Sequence, residues 1–300
     1  MASTNTAGIR YRIVPDEKND LESTIHDYVD DEYCDQPNTT SPTVFSFEIP
    51  IDQTDGTGKT ALFHAIYIGY HDMIKALLNN GANCNIRDIY GMAPIHFACK
   101  KDPLDLEIIK LLIDGGANVN IQDDADMTAF HIACDIGSID LAQILIDSNA
   151  DPNIVDDNGL TPLHVACYTK SIDLIKMVLS CDADPNAQTN DGLTPLHIAC
   201  NSIYYDENNI DIAIEIMREL LEHGADPNYQ AANGSTVLHM ACDIGSIDIV
   251  RLLIEYNAML DVRDNNGIKP INIACNGINE EITDLLLSNG ANPYVDFSYK

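Results

Sequence analysis

The chain has 300 residues, 45% of them hydrophobic and 21% charged, which is enough apolar material for a sizeable folded core. Its net charge of −31, with only 16 Lys and Arg, argues against direct nucleic-acid binding, which needs cations to neutralise phosphates, and favours a partner with a basic surface. No apolar run reaches the length of a membrane span or a signal-peptide core, and the nine cysteines suit a reducing compartment, so a soluble cytoplasmic chain is expected, with the nucleus as the alternative.

Residues 1–54 carry eleven acidic residues against Arg10, Arg12 and Lys18 and read as an acidic N-terminal extension. The run "HDYVDDEYCDQPNTTSP" (His26 to Pro42) has the composition of a disordered tail, with Tyr28, Tyr33 and Ser41 as candidate modification sites. "TVFSFEIPID" (Thr43 to Asp52) alternates apolar and polar residues and is expected to be ordered, as a cap on the folded region C-terminal to it.

At 56–60 the sequence "GTGKT" invites a nucleotide-binding reading. A phosphate loop is G-x-x-x-x-G-K-[ST], because its first glycine lets successive N–H groups curl onto the phosphates. That first position is Gln53 here. The motif is incomplete, and the rest of the chain supplies a different register for it.

From residue 55 onward the chain repeats. The alanine closing each "LH-x-A" phrase falls at Ala65, Ala98, Ala133, Ala166, Ala199, Ala241 and Ala274, at intervals of 33, 35, 33, 33, 42 and 33. A second alanine follows each, at Ala82, Ala117, Ala150, Ala183, Ala225, Ala258 and Ala291, always 16 residues before the next first alanine. One segment is thus fixed in length while the other tolerates insertion. Thr161 and Thr194 are placed as helix caps, with Pro162 and Pro195 at the first helical position. Gly159, Gly192, Gly234 and Gly267 close polar turns that need a positive φ. Leu141, Leu145 and Ile146 have helical spacing behind a Ser138 cap, as do Ile249, Leu253 and Ile254 behind Ser246. Each unit is predicted to be hairpin, helix, turn, helix. The nine-residue insertion "NSIYYDENN" (Asn201 to Asn209) is expected to be a solvated loop between two helices, and the Asp-rich turns "NIQDDAD" and "NIVDDNG" a solvated edge.

These residues resemble the ankyrin repeat, whose G-x-T-P-L-H-x-A signature is complete in "GLTPLHVAC" (Gly159 to Cys167) and "GLTPLHIAC" (Gly192 to Cys200), with its G-A-D-x-N phrase complete in "HGADPN". The resemblance implies an all-α repeat solenoid: a stack of seven helix-turn-helix units with short β-hairpin fingers over residues 55–300. In that register Gly58 is a hairpin glycine and Thr60 a helix cap. The recurring His96, His131, His164, His197 and His239 would hydrogen-bond backbone and hydroxyl groups between repeats. Cys99, Cys134, Cys167, Cys200, Cys242 and Cys275 would fill helix interfaces. Equivalent positions on helices about 8–10 Å apart cannot converge on a metal or form disulfides.

The family binds other proteins on a concave side built from hairpin tips and first helices. Carried over, its contact positions are Tyr67 in the first repeat, Ile89, Tyr90, Met92, Lys100 and Lys101 in the second, and Asp124, Ala125, Met127, Asp135 and Ile136 in the third. In the fourth and fifth they are Asp157, Asn158, Leu160, Tyr168, Thr169, Asn190, Asp191, Leu193, Asn201 and Ser202. The expected function is a non-catalytic scaffold or adaptor binding a protein with a basic rim, without cofactor, metal, nucleic acid, membrane or small-molecule ligand. No G-x-S-x-G elbow, H-E-x-x-H helix or C-x-x-C pair supports an enzyme. A narrower alternative is an inhibitor similar to the ankyrin-repeat inhibitors of NF-κB, masking a basic DNA-binding partner. Their D-S-G-x-x-S phosphodegron and their acidic tail after the last repeat are not found in this sequence.

Overall fold

Five of the seven hairpin fingers are closed by an aspartate carboxylate at their start. In the second repeat the Asp88 carboxylate accepts the N–H groups of Tyr90 (2.9 Å) and Met92 (3.0 Å), while the Asp88 N–H bonds the Met92 carbonyl (2.9 Å). Asp55, Asp123, Asp156 and Asp264 do the same in four other repeats. The expected solvated edge is therefore only half right. Asp88 and Asp123 are buried, because a carboxylate that takes two backbone amides replaces its lost water. Gly159 shows why these turns demand glycine: φ is +78°, and a Cβ would lie 2.8 Å from the Asn190 nitrogen of the neighbouring fingertip, which donates to the Asn158 carbonyl.

The computed structural model describes residues 10–13, 44–47, 50–205, 210–277 and 279–293. Among these, the repeats supply fourteen helices in seven pairs: α1 (Ala61–Ile68) and α2 (His71–Asn79), α3 (Pro94–Cys99) and α4 (Leu106–Asp114), α5 (Ala129–Asp135) and α6 (Ile139–Asp147), and α7 (Pro162–Thr169) and α8 (Ile172–Leu179). The remaining pairs are α9 (Pro195–Tyr205) and α10 (Ile210–Glu222), α11 (Val237–Ile244) and α12 (Ile247–Glu255), and α13 (Pro270–Asn276) and α14 (Glu280–Ser288). Pro162 and Pro195 open α7 and α9 as expected. The fold is the all-α repeat solenoid.

Two compact units divide the chain, one drawn from the described residues of Met1–Ile132 with Asp147–Ala150, the other from Ala133–Ile146 with Asp151–Lys300. In the first, α1 packs on α3 and α2 on α4, burying Leu62, Ile66, Ile74, Leu77, Ile95, Ile108, Ile109 and Leu112. In the second, α7, α9, α11 and α13 pack in succession, and so do α8, α10, α12 and α14. Their second helices are amphipathic: α12 buries Ile249, Val250, Leu252 and Leu253 and exposes Arg251 and Glu255. Ser138 and Ser246 cap α6 and α12, accepting the N–H groups of Leu141 and Ile249.

Beyond apolar packing, a carboxamide clips several repeats to the next. Asn153 accepts the Asp184 N–H (2.8 Å) and donates to the Asp182 carbonyl (3.0 Å), and its own N–H is held by Asp151. Asn186 and Asn228 repeat this clip within the second unit, and Asn85 within the first. The register begins at Asp52, whose carboxylate accepts the Asn83 N–H (2.8 Å).

The threonines correct one expectation. Thr161 has the extended backbone of a helix cap, yet its hydroxyl accepts no helix amide. It bonds His164 Nδ1 (2.9 Å), which also accepts the Thr161 N–H (3.1 Å). The residue three positions on thus holds the amide of the N-cap residue, the reciprocal half of a capping box. Thr128, Thr194 and Thr236 form the same pair with His131, His197 and His239. In the first repeat Phe63 stands at the histidine position, and Thr60 Oγ1 is buried without a partner.

The insertion is a second correction. Asn201 to Tyr205 are not loop but the last turns of α9, which extends because Ile203 and Ser202 bury against the core, Ser202 Oγ donating to the Ala199 carbonyl (2.8 Å). Residues 206–209 lie outside the described residues. In "TVFSFEIPID" a strand does form, β2 (Val44–Phe47), and it pairs in parallel with β1 (Arg10–Ile13), whose own short alternation is easily overlooked. The acidic run His26 to Pro42, with Tyr28, Tyr33 and Ser41, falls outside the described residues. No helix among them is long and apolar enough to cross a membrane.

Two stability measurements check this account. Ile203→Ala is expected to cost about 2–5 kcal/mol in urea unfolding, as for a filled core position, where a solvated loop would show no loss. Thr161→Val should cost about 1 kcal/mol through its lost histidine bond, whereas Thr60→Val, removing an orphaned hydroxyl, should be neutral or stabilising.

Candidate protein-interaction surface

The hairpin turns and the C-terminal ends of the first helices leave certain side chains outside the stack. In the first unit Tyr67, Ile89 and Tyr90 are 57%, 58% and 66% exposed, while Met92 and Met127 are half-buried beside them in sequence at the hairpin exits. Lys100 is exposed at 3.7 Å from Asp123, and Asp124 is held by Arg87 (2.7 Å) across neighbouring repeats. In the second unit Tyr168 is 49% exposed, Asp135, Asp157 and Asp191 are exposed, and Leu160 is half-buried. Asn190 is exposed but committed: its amide donates to the Asp157 carbonyl (2.9 Å) while its N–H bonds Asn158. The predicted positions are thus of several kinds: some exposed, some holding fingertips together, and one, Ser202, buried in the core.

Residues that the carry-over omits lie around Tyr67. The Tyr67 ring is 6.4 Å from Phe97, Phe97 meets buried Phe63 edge-on at 5.9 Å, and Lys59 Nζ stands 5.5 Å from the Phe97 centroid. Lys59 follows the hairpin glycine Gly58, a contact position of the same register, so its signal was present in the sequence.

The "GTGKT" stretch is a finger. Gly58 sits at φ +79°, its N–H bonding the Asp55 carbonyl, and the Thr57 and Lys59 N–H groups converge on the Asp55 carboxylate (2.7 and 3.0 Å). Burial works against that carboxylate, but the Thr57 hydroxyl and these amides outweigh it and hold its pKa below the ordinary value. The amides a phosphate would need are already donated.

The histidine ladder is interstitial. Nδ1 accepts a backbone N–H, so the ring proton is on Nε2, which His96, His164 and His239 direct at the Ile121, Leu193 and Ile268 carbonyls of the following repeat. Burial lowers the pKa of His96 and His239. His197 is pushed down to about 4, mainly by burial; the Ser235 carbonyl opposes this, yet Nε2 makes no hydrogen bond. Burial likewise raises the thiols of Cys99, Cys200 and Cys242 to about 12, leaving them unreactive. Cys275 departs from the ladder in being exposed. Among the described residues no group of three or more His, Cys, Asp or Glu is placed to hold a metal.

Residues 41–123, 103–189, 130–214 and 207–296 match the family described as ankyrin repeats (3 copies). The chain belongs to the ankyrin-repeat family. Among solved structures it is similar to the ankyrin repeat domain of Bcl-3, described as a unique member of the IkappaB protein family, at 28% identity and a TM-score of 0.66, over 77% of this chain and 99% of that one. No curated protein sequence matches it. As an ankyrin-repeat protein it has a protein-interaction fold.

The histidines predict a pH dependence with a definite sign. A pKa lowered by folding contributes stability above the unfolded value near 6.5 and loses it as pH falls toward 4, for His197 on the order of 3 kcal/mol. His197→Asn should flatten the fall in melting temperature between those limits, because Asn272 already plays this part in the seventh repeat, accepting the Lys269 N–H (3.1 Å). An unchanged slope would show that other groups govern it.

Proposed function

We propose that the chain is a non-catalytic scaffold or adaptor, working in the cytoplasm or nucleus, which takes a partner protein on the hairpin tips and first-helix ends, with residues 1–54 as an acidic extension. The observation that carries this reading is the exposure of large apolar side chains, Ile89, Tyr90 and Tyr168, on a family scaffold with a separate apolar core. Apolar anchors with a polar surround are what a protein interface uses. A net charge of −31 and the exposed carboxylates Asp135, Asp157 and Asp191 favour a partner with a basic rim. The likeness to the Bcl-3 domain favours a second reading, an NF-κB-directed inhibitor that masks a basic DNA-binding partner. The nucleotide-binding alternative loses its support to Asp55, which already holds the amides of 57 and 59.

Affinity capture followed by binding kinetics tests the proposal. Asp157→Asn with Asp191→Asn should slow association at low salt and change little at about 0.5 M salt, where the Debye length is well under 10 Å. Tyr90→Ala should speed dissociation at any salt and cost about 2 kcal/mol or more. Partner binding unaffected by either change removes this face as the site; heat on titration with ATP removes the non-catalytic reading.

A further inference from the structure

The first unit carries an open groove of about 520 Å³ lined by Tyr67, Phe97, Lys100, Lys101 and Asp102. Its electrostatics run against those of the chain. Lys59 lies over the Phe97 ring, and Lys101 Nζ caps the C-terminal end of α1, donating to the Ile66 carbonyl at 3.0 Å. Among the described residues neither has a carboxylate within ion-pair distance. Lys100 has only the long contact with Asp123, and Asp102 is the one acidic lining residue. Two ammonium groups, Lys100 and Lys101, therefore line a groove with Tyr67 and Phe97, and a third, Lys59, stands over the Phe97 ring, in a protein with 47 acidic and 16 basic residues.

We infer that this groove docks an acidic segment of a protein partner, with an apolar side chain against Tyr67 and Phe97 and flanking carboxylates on Lys59, Lys100 and Lys101. Charge complementarity selects that occupant. A basic segment would meet the Lys100 and Lys101 ammonium groups with Lys59 close to the Phe97 ring, and an uncharged one would leave the mixed groove half-used. The net negative charge elsewhere does not forbid approach, since exposed charges beyond about 8–10 Å are screened at physiological salt while those at contact are not. Ring faces holding a cation and an open apolar edge are also what an apolar anchor with acidic flanks would fill. The inference rests on the interaction role proposed above and shares Tyr67 and Lys100 with its contact positions, but its test turns on the acidic peptide and that of the proposed role on Tyr90, Asp157 and Asp191, so each can fail alone.

The test uses the full chain and a fluorescein-labelled octapeptide, Leu-Phe flanked by three Glu on each side, with a control carrying Gln at every Glu. Fluorescence anisotropy should show the acidic peptide binding, weakening with salt, and at least about tenfold tighter than the control. The Lys59→Gln, Lys100→Gln variant, which keeps the Lys101 cap on α1, and Tyr67→Ala should each weaken binding by a similar factor without shifting the melting temperature. Equal binding of the two peptides, no binding of the acidic one, or binding indifferent to these substitutions would overturn the groove. Kinetics governed by Tyr90 and Asp157 would then still stand.

Discussion

The structure depends on a hydrogen-bond clip across several of its repeat boundaries. Asn85, Asn153, Asn186 and Asn228 each span two strands of backbone that belong to successive repeats, accepting an N–H from one residue and donating to a carbonyl two residues earlier. A carboxamide has one acceptor and one donor side, and only one separation of the two repeats satisfies both. The histidine adds a second bridge from the same repeat, Nδ1 inward and Nε2 onward, and fixes where the first helix starts relative to the next hairpin. The two bridges account for the invariant 16-residue interval. The chain between the second alanine and the next first alanine carries the clip asparagine, the hairpin and the histidine, so a length change there would break both connections at once. Between the first and second alanine of one repeat lie only a helix end, a turn and a helix, and α9 shows that the end can lengthen inward.

Where the pattern of bridges changes, the chemistry changes with it. In the first repeat Phe63 replaces histidine, loses the bond to Thr60 and gains a ring contact with Phe97. In the seventh, Asp261 stands at the clip position and can accept the Asn292 N–H but has no donor for a carbonyl. Lys269, standing where other repeats have threonine, donates to the Asn292 carbonyl (3.0 Å) and pairs with Asp261 (3.2 Å). Its side chain is 5% exposed, and a buried cation is tolerated because both bonds are present. The terminal repeats thus keep the connection and exchange the groups that make it.

The fold was legible because periodicity, glycine position and the Thr-Pro and His-x-Ala phrases recur at a fixed interval, so the requirement each meets is written once per repeat. What escaped the sequence needed a partner to be known. Thr161 looks like a cap until His164 is seen to claim its hydroxyl. Asp123 and Asp124 are indistinguishable as letters, yet the first closes a hairpin while the second holds Arg87 of the preceding repeat. Ile203 sits in a run whose length suggests a loop, and only its burial shows helix. Of the carried-over contact positions, Tyr67, Ile89, Tyr90 and Tyr168 are exposed and Ser202 is buried, and the register did not separate Asn190, bonded to Asp157, from Asp191 beside it.

That separation bears on how such a surface evolves a partner. A residue that closes a hairpin or clips two repeats cannot change without loosening the stack, so recognition has to be written in the residues left over. In the first unit the leftovers around Tyr67 are aromatic and cationic; in the second, beyond Tyr168, they are chiefly carboxylates such as Asp157 and Asp191. One scaffold therefore offers two chemistries on equivalent positions of its repeat. Repeat geometry dictates where a side chain stands, while the charge it presents is unconstrained by folding. Opposite preferences for a partner's acidic and basic segments can then coexist in one chain without conflict in its core.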